Sequence, residues 1–199
     1  MARYTNEKTR STLKELEQIS KTENLPSIGP IKGKIVSDII RNYGPTSILE
    51  VGTLHGYSAI LMGDLLPDDG KLITIEINKN LADIARKNID RAGLSKRIEV
   101  ICGNALKIIP TLTYKFDLMF LDAIKSEYLQ YLKQLEANKL IKKNAVVVAD
   151  NVKLYENEMT DYLVYVRNTG LYKSQTTQTT LEFNKNIEDA LEISMRLEK

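Results

Sequence analysis

Short apolar runs alternate with longer segments of helical periodicity along most of the chain, and this alternation constrains the fold more than any other feature. Five runs have the length and composition of buried strands: residues 47–51, 71–76, 97–102, 116–122 and 145–150. Short apolar strands separated by helices are typical of βαβ units, whose strands lie parallel in one sheet. The sequence therefore predicts an α/β fold built on a mostly parallel sheet.

One helix is marked at both of its ends. Asn78 is suited to cap the first turn, and Gly93 is suited to end the last one. The segment between them carries apolar residues at helical spacing, namely Leu81, Ile84, Ala85, Ile89 and Ala92. Residues three and four positions apart share one face of a helix, so these side chains are predicted to pack against the sheet.

Further elements are predicted on either side of the strand region. Helices are predicted for residues 9–20, 31–43 and 156–167. The first two precede the first strand and would form a helical cover over the sheet. Extended segments are predicted for residues 172–183 and 187–197, which would add a hairpin to the sheet edge. The second of them has an alternative, because residues 186–197 also have the composition of a helix.

Length and composition suffice for one substantial core, since 43% of the 199 residues are apolar. We predict a single domain over residues 1–199. Within it, residues 1–45 would form the helical cover, residues 46–151 the central part that carries the site, and residues 152–199 a helix and the edge hairpin.

The charge distribution gives little reason to expect a nucleic acid partner. The 28 basic and 26 acidic residues are scattered, and the formal net charge is +2. The first residues lack the apolar segment of a signal peptide, and no later stretch reaches the roughly 20 apolar residues that cross a bilayer. We therefore predict a soluble, cytoplasmic protein that acts away from membranes, and leave open whether it forms a homodimer.

The chain has a single cysteine, Cys102, and a single histidine, His55. One thiol excludes an internal disulfide, and one imidazole excludes a histidine-rich zinc site. We interpret His55 as a solvent-facing loop residue and Cys102 as a small buried residue at a strand end, and assign neither a role. Any metal ion would then be held by oxygen atoms.

Oxygen-bearing side chains follow two of the predicted strands. Asp122 ends the fourth strand, and Asp150 and Asn151 end the fifth. Parallel strands present their carboxyl ends at the edge where ligands bind, so these groups are expected to converge. Two close carboxylates repel unless a cation intervenes, and three side-chain oxygens suit Mg²⁺ or another divalent cation. Lys125 adds a candidate base. Taken alone, Lys125 could equally be a solvated lysine, and Asp150-Asn151 could be a polar turn after a strand.

Gly52 and Gly56 lie in the segment that joins the first strand to the next helix. A residue without Cβ lets the backbone approach a bound ligand closely. The spacing Gly-x-x-x-Gly differs from the dinucleotide fingerprint Gly-x-Gly-x-x-Gly. Glu76 ends the second strand, where an acidic side chain commonly accepts hydrogen bonds from ribose hydroxyls. Together they suggest an adenosine-containing cofactor; the alternatives are a structural turn and a helix-capping glutamate.

The order of these motifs resembles one enzyme family. It comprises Glu-x-Gly-x-x-x-Gly from Glu50, then Glu76, Gly-Asn-Ala from Gly103, Phe-Leu-Asp ending at Asp122 and Ala-Asp-Asn ending at Asn151. This order resembles catechol O-methyltransferase and its small metal-dependent relatives, from about Leu25 to Lys199 and including Leu-Glu-Phe at 181–183. The resemblance implies S-adenosylmethionine as methyl donor and Mg²⁺ as cofactor. It also implies a Rossmann-like methyltransferase fold, with a seven-stranded sheet of order 3-2-1-4-5-7-6, helices on both faces and an antiparallel edge.

The resemblance further implies roles for single residues. The cofactor-binding residues would be Ile28, Glu50, Gly52, Leu54, Ser58, Glu76, Asn104, Ala105 and Asp122. Among these, Ser58 and Glu50 would contact the methionine carboxylate and amino groups, and Glu76 the ribose. The metal ligands would be Asp122, Asp150 and Asn151. Lys125 would be the catalytic base, and Lys125, Asn151 and Glu182 would contact the substrate.

The chain also departs from the animal enzymes of this family. Ala123 and Ile124 stand where those enzymes carry histidine and tryptophan, and residues 152–155 lack a proline-containing gatekeeper. The prediction is a Mg²⁺-dependent O-methyltransferase acting on a small catechol-like or polyphenolic acceptor. The alternatives are methylation of RNA or another large acceptor, a nicotinamide-dependent oxidoreductase, and a non-catalytic S-adenosylmethionine-binding protein.

Overall fold

A computed structural model describes residues 6–182 and 184–197. The helices are α1 (Glu7–Glu23), α2 (Gly29–Tyr43), α3 (Tyr57–Leu65), α4 (Lys79–Arg91), α5 (Ala105–Ile108), α6 (Tyr128–Ala137) and α7 (Thr160–Asn168). The strands are β1 (Ser47–Val51), β2 (Lys71–Glu76), β3 (Ile98–Cys102), β4 (Phe116–Leu121), β5 (Ile141–Ala149), β6 (Tyr172–Leu181) and β7 (Asn184–Arg196). Predictions that fall on Phe183 or on residues 1–5 and 198–199 lie outside the described residues.

The strands form one sheet in the order β3-β2-β1-β4-β5-β7-β6, which confirms the predicted order. The first five strands pair in parallel, and β7 runs antiparallel to both of its neighbours. Val51 lies beside Ile75 and Leu121, and Leu121 lies beside Ala149. The residues that follow these strands therefore leave the sheet at the same edge.

The sheet separates two apolar layers. Alternate residues of a strand point to opposite faces, so Ile48 packs on the side of α1 to α4 while Leu49 packs on the side of α6 and α7. The first layer includes Leu13 of α1 and Val36 of α2, so the N-terminal helices do cover one face of the sheet. This cover supplies one wall of the site described below.

The predicted hairpin at the sheet edge is confirmed, and the alternative of a helix over residues 186–197 is wrong. Two details of the predicted helices are also wrong. Ile84 is 44% exposed, because α4 turns Ala82 and Ala85 toward the core instead. Residues 156–167 do not form one helix, because Met159 leaves helical geometry at φ −123° between a short 3-10 turn and α7. Its side chain is completely buried at this break.

Among the described residues, no helix combines the length and the apolar character that crossing a membrane would require.

Asp117 joins the starts of three strands at the edge opposite the site. Its Oδ2 accepts hydrogen bonds from the backbone and hydroxyl groups of Thr46 and Ser47 and from Lys142 Nζ, at 2.9 to 3.0 Å. Burial alone would raise the pKa of Asp117, but these donors outweigh it and lower the pKa to about 2. The ionised carboxylate therefore stabilises the folded sheet.

Replacing Asp117 with asparagine is expected to lower the free energy of unfolding by about 1–2 kcal/mol at pH 7. The pKa is lower in the folded protein than in the unfolded chain, so the advantage of wild type is fully present above the ordinary value of 3.8. It is lost as the pH falls through about 2. Urea unfolding of both proteins at pH 7 and at lower pH checks this, and an equal difference at both pH values would contradict it.

Candidate active site

A cavity of about 860 Å³ opens at the edge where the parallel strands end. Its walls are the segment before α2, the segments that follow β1 to β5, and the turn between β6 and β7. Of the predicted site residues, the following line it: Ile28, Gly52, Leu54, Ser58, Glu76, Asn104, Ala105, Asp122, Lys125, Asp150, Asn151 and Glu182. Glu50 lies behind this wall. The fold thus brings nearly the whole predicted set to one space.

The two glycines of the loop after β1 both have positive φ, and the protein's own packing also requires glycine at position 52. Gly52 has φ +99°, and a Cβ on it would lie 2.0 Å from the backbone oxygen of Asp122. Gly56 has φ +93°, and a Cβ on it would meet Ala85 of α4 at 3.4 Å. The sequence analysis attributed these glycines to the approach of a ligand. For Gly52 the structure gives a reason within the protein, because the nearest atom belongs to the backbone of Asp122, just after β4.

Glu76 fixes the conformation of the same loop. Its Oε2 accepts hydrogen bonds from the backbone N–H groups of Thr53 and Leu54 at 3.2 and 2.9 Å. Its Oε1 accepts one from the N–H of Asn78, just before α4, at 2.9 Å. The carboxylate lines the cavity and is only 7% exposed. It therefore orders the loop and also presents an acceptor edge to whatever occupies the cavity.

Glu50 is fully buried at the end of β1. Burial raises its pKa to about 8, although hydrogen bonds from Ser58 and Thr74 act in the opposite direction. Its second oxygen, Oε1, has no hydrogen-bond partner. A buried acceptor without a donor costs free energy. Glu50 would therefore gain from a cationic donor placed next to Ser58, which does line the cavity.

A second buried acceptor without a partner follows β3. Asn104 precedes α5, and its side-chain Oδ1 is buried with no hydrogen bond. Ala105, the first residue of α5, lines the same wall. An amino-bearing heterocycle would satisfy this oxygen. Two buried acceptors without partners, Glu50 Oε1 and Asn104 Oδ1, would suit a ligand with two separate donor groups.

His55 and Cys102 differ from their interpretation in the sequence. His55 is only 4% exposed, and its Nε2 lies 2.7 Å from Ser20 Oγ of α1. Burial lowers the pKa of His55 to about 4, so the imidazole is neutral at pH 7. Its hydrogen bond to Ser20 connects the loop after β1 to the helical cover. Cys102 is exposed, because β3 is the edge strand and its last residue faces outward.

The acidic end of the cavity contains the predicted metal ligands and Lys125. Lys125 Nζ donates to Asp122 Oδ1 at 3.0 Å and to the hydroxyl of Tyr128 at 2.9 Å. Burial, followed by the charge of Asp122, raises the pKa of Asp150 to about 6. The two carboxylates therefore lie near enough to repel each other. Asn151 follows at φ +62°, a left-handed conformation that is uncommon for residues other than glycine.

Two charged residues of this region were missed in the sequence. Lys32 of α2 is 2% exposed, and its ammonium lies 2.6 Å from Asp150 Oδ1 and 2.6 Å from Asp189 Oδ2. Asp189 of β7 is completely buried. A signal did exist, because Lys32 lies four residues before Val36 on the apolar face of α2. A charge on such a face needs a buried partner.

Glu182 lines the cavity but also binds the helical cover. Its Oε2 accepts a hydrogen bond from the N–H of Ile31 in the first turn of α2, at 2.7 Å. Gly29 packs closely enough that a Cβ on it would lie 2.0 Å from the side chain of Glu182. The turn between β6 and β7 is thereby attached to the start of α2.

The donor set at the acidic end suits a hard divalent cation. Asp122, Asp150 and Asn151 offer two carboxylates and one amide oxygen, the kinds of ligand that Mg²⁺ accepts while keeping open positions. Over residues 6–182 and 184–197, no cluster of three or more His, Cys, Asp or Glu is placed to hold a metal ion. The set of Asp122, Asp150 and Asn151 contains two acids and one amide.

Comparison with known proteins gives consistent matches. The O-methyltransferase family model matches residues 3–196. Catechol O-methyltransferase from Mus musculus is 36% identical over 178 residues, which cover 87% of this chain and 66% of that protein. The chain thus spans just under two thirds of the mouse protein's length. Catechol O-methyltransferase from Sus scrofa is 36% identical over 175 residues, 85% of this chain and 92% of that protein. An O-methyltransferase from Bacillus cereus, solved in complex with SAH, aligns with a TM-score of 0.81 and 29% identity, over 94% of this chain and 90% of that one.

Proposed function

Since the chain belongs to the O-methyltransferase family, we propose that it transfers the methyl group of S-adenosylmethionine to a hydroxyl of a catechol-like or polyphenolic small molecule. We further propose that a divalent cation, Mg²⁺ or a substitute, holds the acceptor, and that Lys125 is the general base. The observation that supports this most is the convergence of Asp122, Lys125, Asp150 and Asn151 at one end of a cavity. The other end of that cavity offers two unpartnered acceptors.

The unpartnered acceptors suit the cofactor. Glu50, with Ser58 in front of it, would receive the ammonium of the methionine moiety, and a nearby positive charge would return the carboxyl to its ionised form. Asn104 would receive the amino group of the adenine. Glu76 would accept from the ribose hydroxyls while it continues to hold the loop after β1. Each of these contacts would supply a donor or a charge that the free protein lacks.

At the acidic end, the chain's residues would orient the acceptor and remove its proton. The bound cation would supply a Lewis acid that favours the ionised form of the acceptor hydroxyl. Lys125 would first lose its ammonium proton to solvent, and as a neutral amine it would then take the proton of the acceptor hydroxyl. The hydroxyl oxygen would bond to the methyl carbon, and the carbon–sulfur bond would break with the electron pair leaving on sulfur. Asp122, Asp150 and Asn151 would leave positions open for two adjacent acceptor oxygens.

The acceptor wall is apolar and partly open. Ile124, Leu154 and Tyr155 line the cavity while remaining 47%, 38% and 39% exposed. Large apolar side chains that face both solvent and a cavity favour a flat, weakly polar ligand between them. This supports a small aromatic acceptor, and the aliphatic Ile124 leaves more room than a tryptophan would.

The test is methyl transfer from S-adenosylmethionine to a panel of vicinal diphenols, with Mg²⁺ and with excess chelator. We expect turnover of the diphenols with Mg²⁺ and its loss with chelator. Matched monophenols, which cannot chelate a cation through two oxygens, are expected to react much more slowly. A turnover rate that is unchanged by the chelator would refute the proposed metal dependence. Cofactor binding without turnover of any diphenol would refute the proposed enzymatic function. The cytoplasmic location, the single domain and the oligomeric state stay predictions from the sequence.

A further inference from the structure

Asp189 is a completely buried carboxylate that the proposed reaction does not use. It lies on β7, and its Oδ2 accepts hydrogen bonds from Lys32 Nζ at 2.6 Å and from Asn151 Nδ2 at 2.8 Å. Its Oδ1 accepts one from the N–H of Leu154 at 3.2 Å. The side chain therefore touches the loop after β5 at two points, and it touches α2 through the lysine.

The contact with Asn151 determines which end of the amide faces the cavity. A carboxylate beside an ammonium is ionised and can only accept hydrogen bonds, so it selects the Nδ2 end of the asparagine. Because the amide is planar, Oδ1 then points away from Asp189. Asn151 also has left-handed backbone geometry, at φ +62°, which asparagine adopts more readily than most residues.

The contact with Lys32 extends the same control to Asp150. The lysine ammonium bridges Asp189 Oδ2 and Asp150 Oδ1, and the N–H of Asn151 reaches Asp150 Oδ1 as well, at 2.7 Å. Both donors approach one oxygen of the Asp150 carboxylate. The orientation of that carboxylate is therefore fixed, with Oδ2 on its other side.

We propose that Asp189 is a positioning residue of the metal site. It would act through Asn151, whose oxygen it turns toward the cation, and through Lys32, which holds the Asp150 carboxylate. This inference rests on the proposed function, because it assigns the second layer around the cation that Asp122, Asp150 and Asn151 would bind. Partners of this kind commonly change metal affinity by about 10- to 100-fold when they are replaced.

The test is the affinity for Mn²⁺ alone, measured by the electron paramagnetic resonance signal of the free ion in titrations without acceptor. Asp189→Asn is nearly isosteric but loses the charge and the obligate acceptor. We expect it to bind Mn²⁺ about tenfold or more weakly than wild type. Binding of S-adenosylmethionine, measured by calorimetry, is expected to stay within about twofold, because Asp189 does not line the cavity. A merely structural role would weaken both affinities together.

Two further variants make the outcomes distinct. Asp117→Asn is the matched control, since it makes the same replacement at the opposite edge of the sheet and is expected to leave Mn²⁺ affinity unchanged. Asp150→Asn tests the proposed metal site itself. If Asp150→Asn binds Mn²⁺ as wild type does, the metal site and this inference both fail. If Asp150→Asn binds weakly while Asp189→Asn matches wild type, the inference alone is overturned and the proposed function stands.

A measurement on wild type covers the case in which Asp189→Asn does not fold. The side-chain N–H₂ protons of Asn151, followed by nuclear magnetic resonance, are expected to exchange with water at least tenfold more slowly than those of a free amide, before and after Mg²⁺ is added. Exchange at the rate of a free amide would mean that Asp189 does not hold Asn151, and would overturn the proposal.

Discussion

Replacing Lys125 with methionine is expected to reduce the rate of methyl transfer by about 10²- to 10⁴-fold, the usual contribution of a positioned general base. Methionine keeps most of the length of the side chain and removes the amine. Lys125 Nζ donates hydrogen bonds to Asp122 and Tyr128, and it also lies over the rings of Tyr128 and Tyr155. Because the ion pair with Asp122 is mostly buried, at 12% and 19% side-chain exposure, circular dichroism is used to check that the variant is folded. The rate is measured with saturating Mg²⁺ and S-adenosylmethionine on the best diphenol of the panel.

Lys34→Met is the matched control for this prediction. Lys34 also lies in an ion pair, with Asp38, but both side chains are largely exposed on the outer face of α2. We expect its rate to equal that of wild type. A Lys125→Met protein that binds the cofactor normally and turns over within a few-fold of wild type would rule out Lys125 as the base while leaving the metal ligands untouched.

Replacing Gly52 with alanine is expected to destabilise the protein by about 3 kcal/mol or more, enough to prevent folding of a marginally stable chain. The new Cβ would lie 2.0 Å from the carbonyl oxygen of Asp122, and this neighbour is backbone that belongs to the end of β4. Either β4 must move away from β1 or the loop must change its path. Urea unfolding monitored by circular dichroism gives the size of the effect.

Gly44→Ala separates backbone strain from collision. Gly44 has φ +58° at the end of α2, and nothing lies within 4 Å of the Cβ that alanine would add. The cost there is expected to be about 1 kcal/mol, the cost of a left-handed conformation alone. If both substitutions cost the same, the close approach of β4 to the loop after β1 is not what selects glycine at position 52.

Local pattern was enough to locate the strands, whereas their order was predicted from the resemblance to a known family. β1 and β2 begin and end at the predicted residues, because both are short apolar runs bounded by polar turns. β5 was predicted to start at Ala145, yet it starts at Ile141. Its first residues include Lys142 and Asn144, which reach solvent and carry no apolar signal. A half-exposed strand start depends on pairing with a neighbour rather than on its own composition.

The residues of the site also fall into those that the sequence identified and those that it missed. Residues that follow strands, such as Asp122 and Asn151, were identified because the topology of a parallel sheet determines where they go. Asp189 was missed, because its role depends on contacts with Lys32 and Asn151 that no local pattern encodes. Lys32 and Asp189 are separated by 157 positions in the chain. The packing reason for Gly52 was also out of reach, because it concerns the backbone of Asp122, just after β4.

The hydrogen bond from Ile31 to Glu182 joins two parts of the chain that are 151 positions apart. Ile28, just before α2, and Glu182 form facing parts of one cavity wall. The contact between these two parts cannot form until the chain has been synthesised past Glu182. In a nascent polypeptide that still lacks β6 and β7, the cavity would be open on the side where Glu182 forms its wall. The complete binding site for a small molecule would then form late in biosynthesis, after most of the sheet has been synthesised.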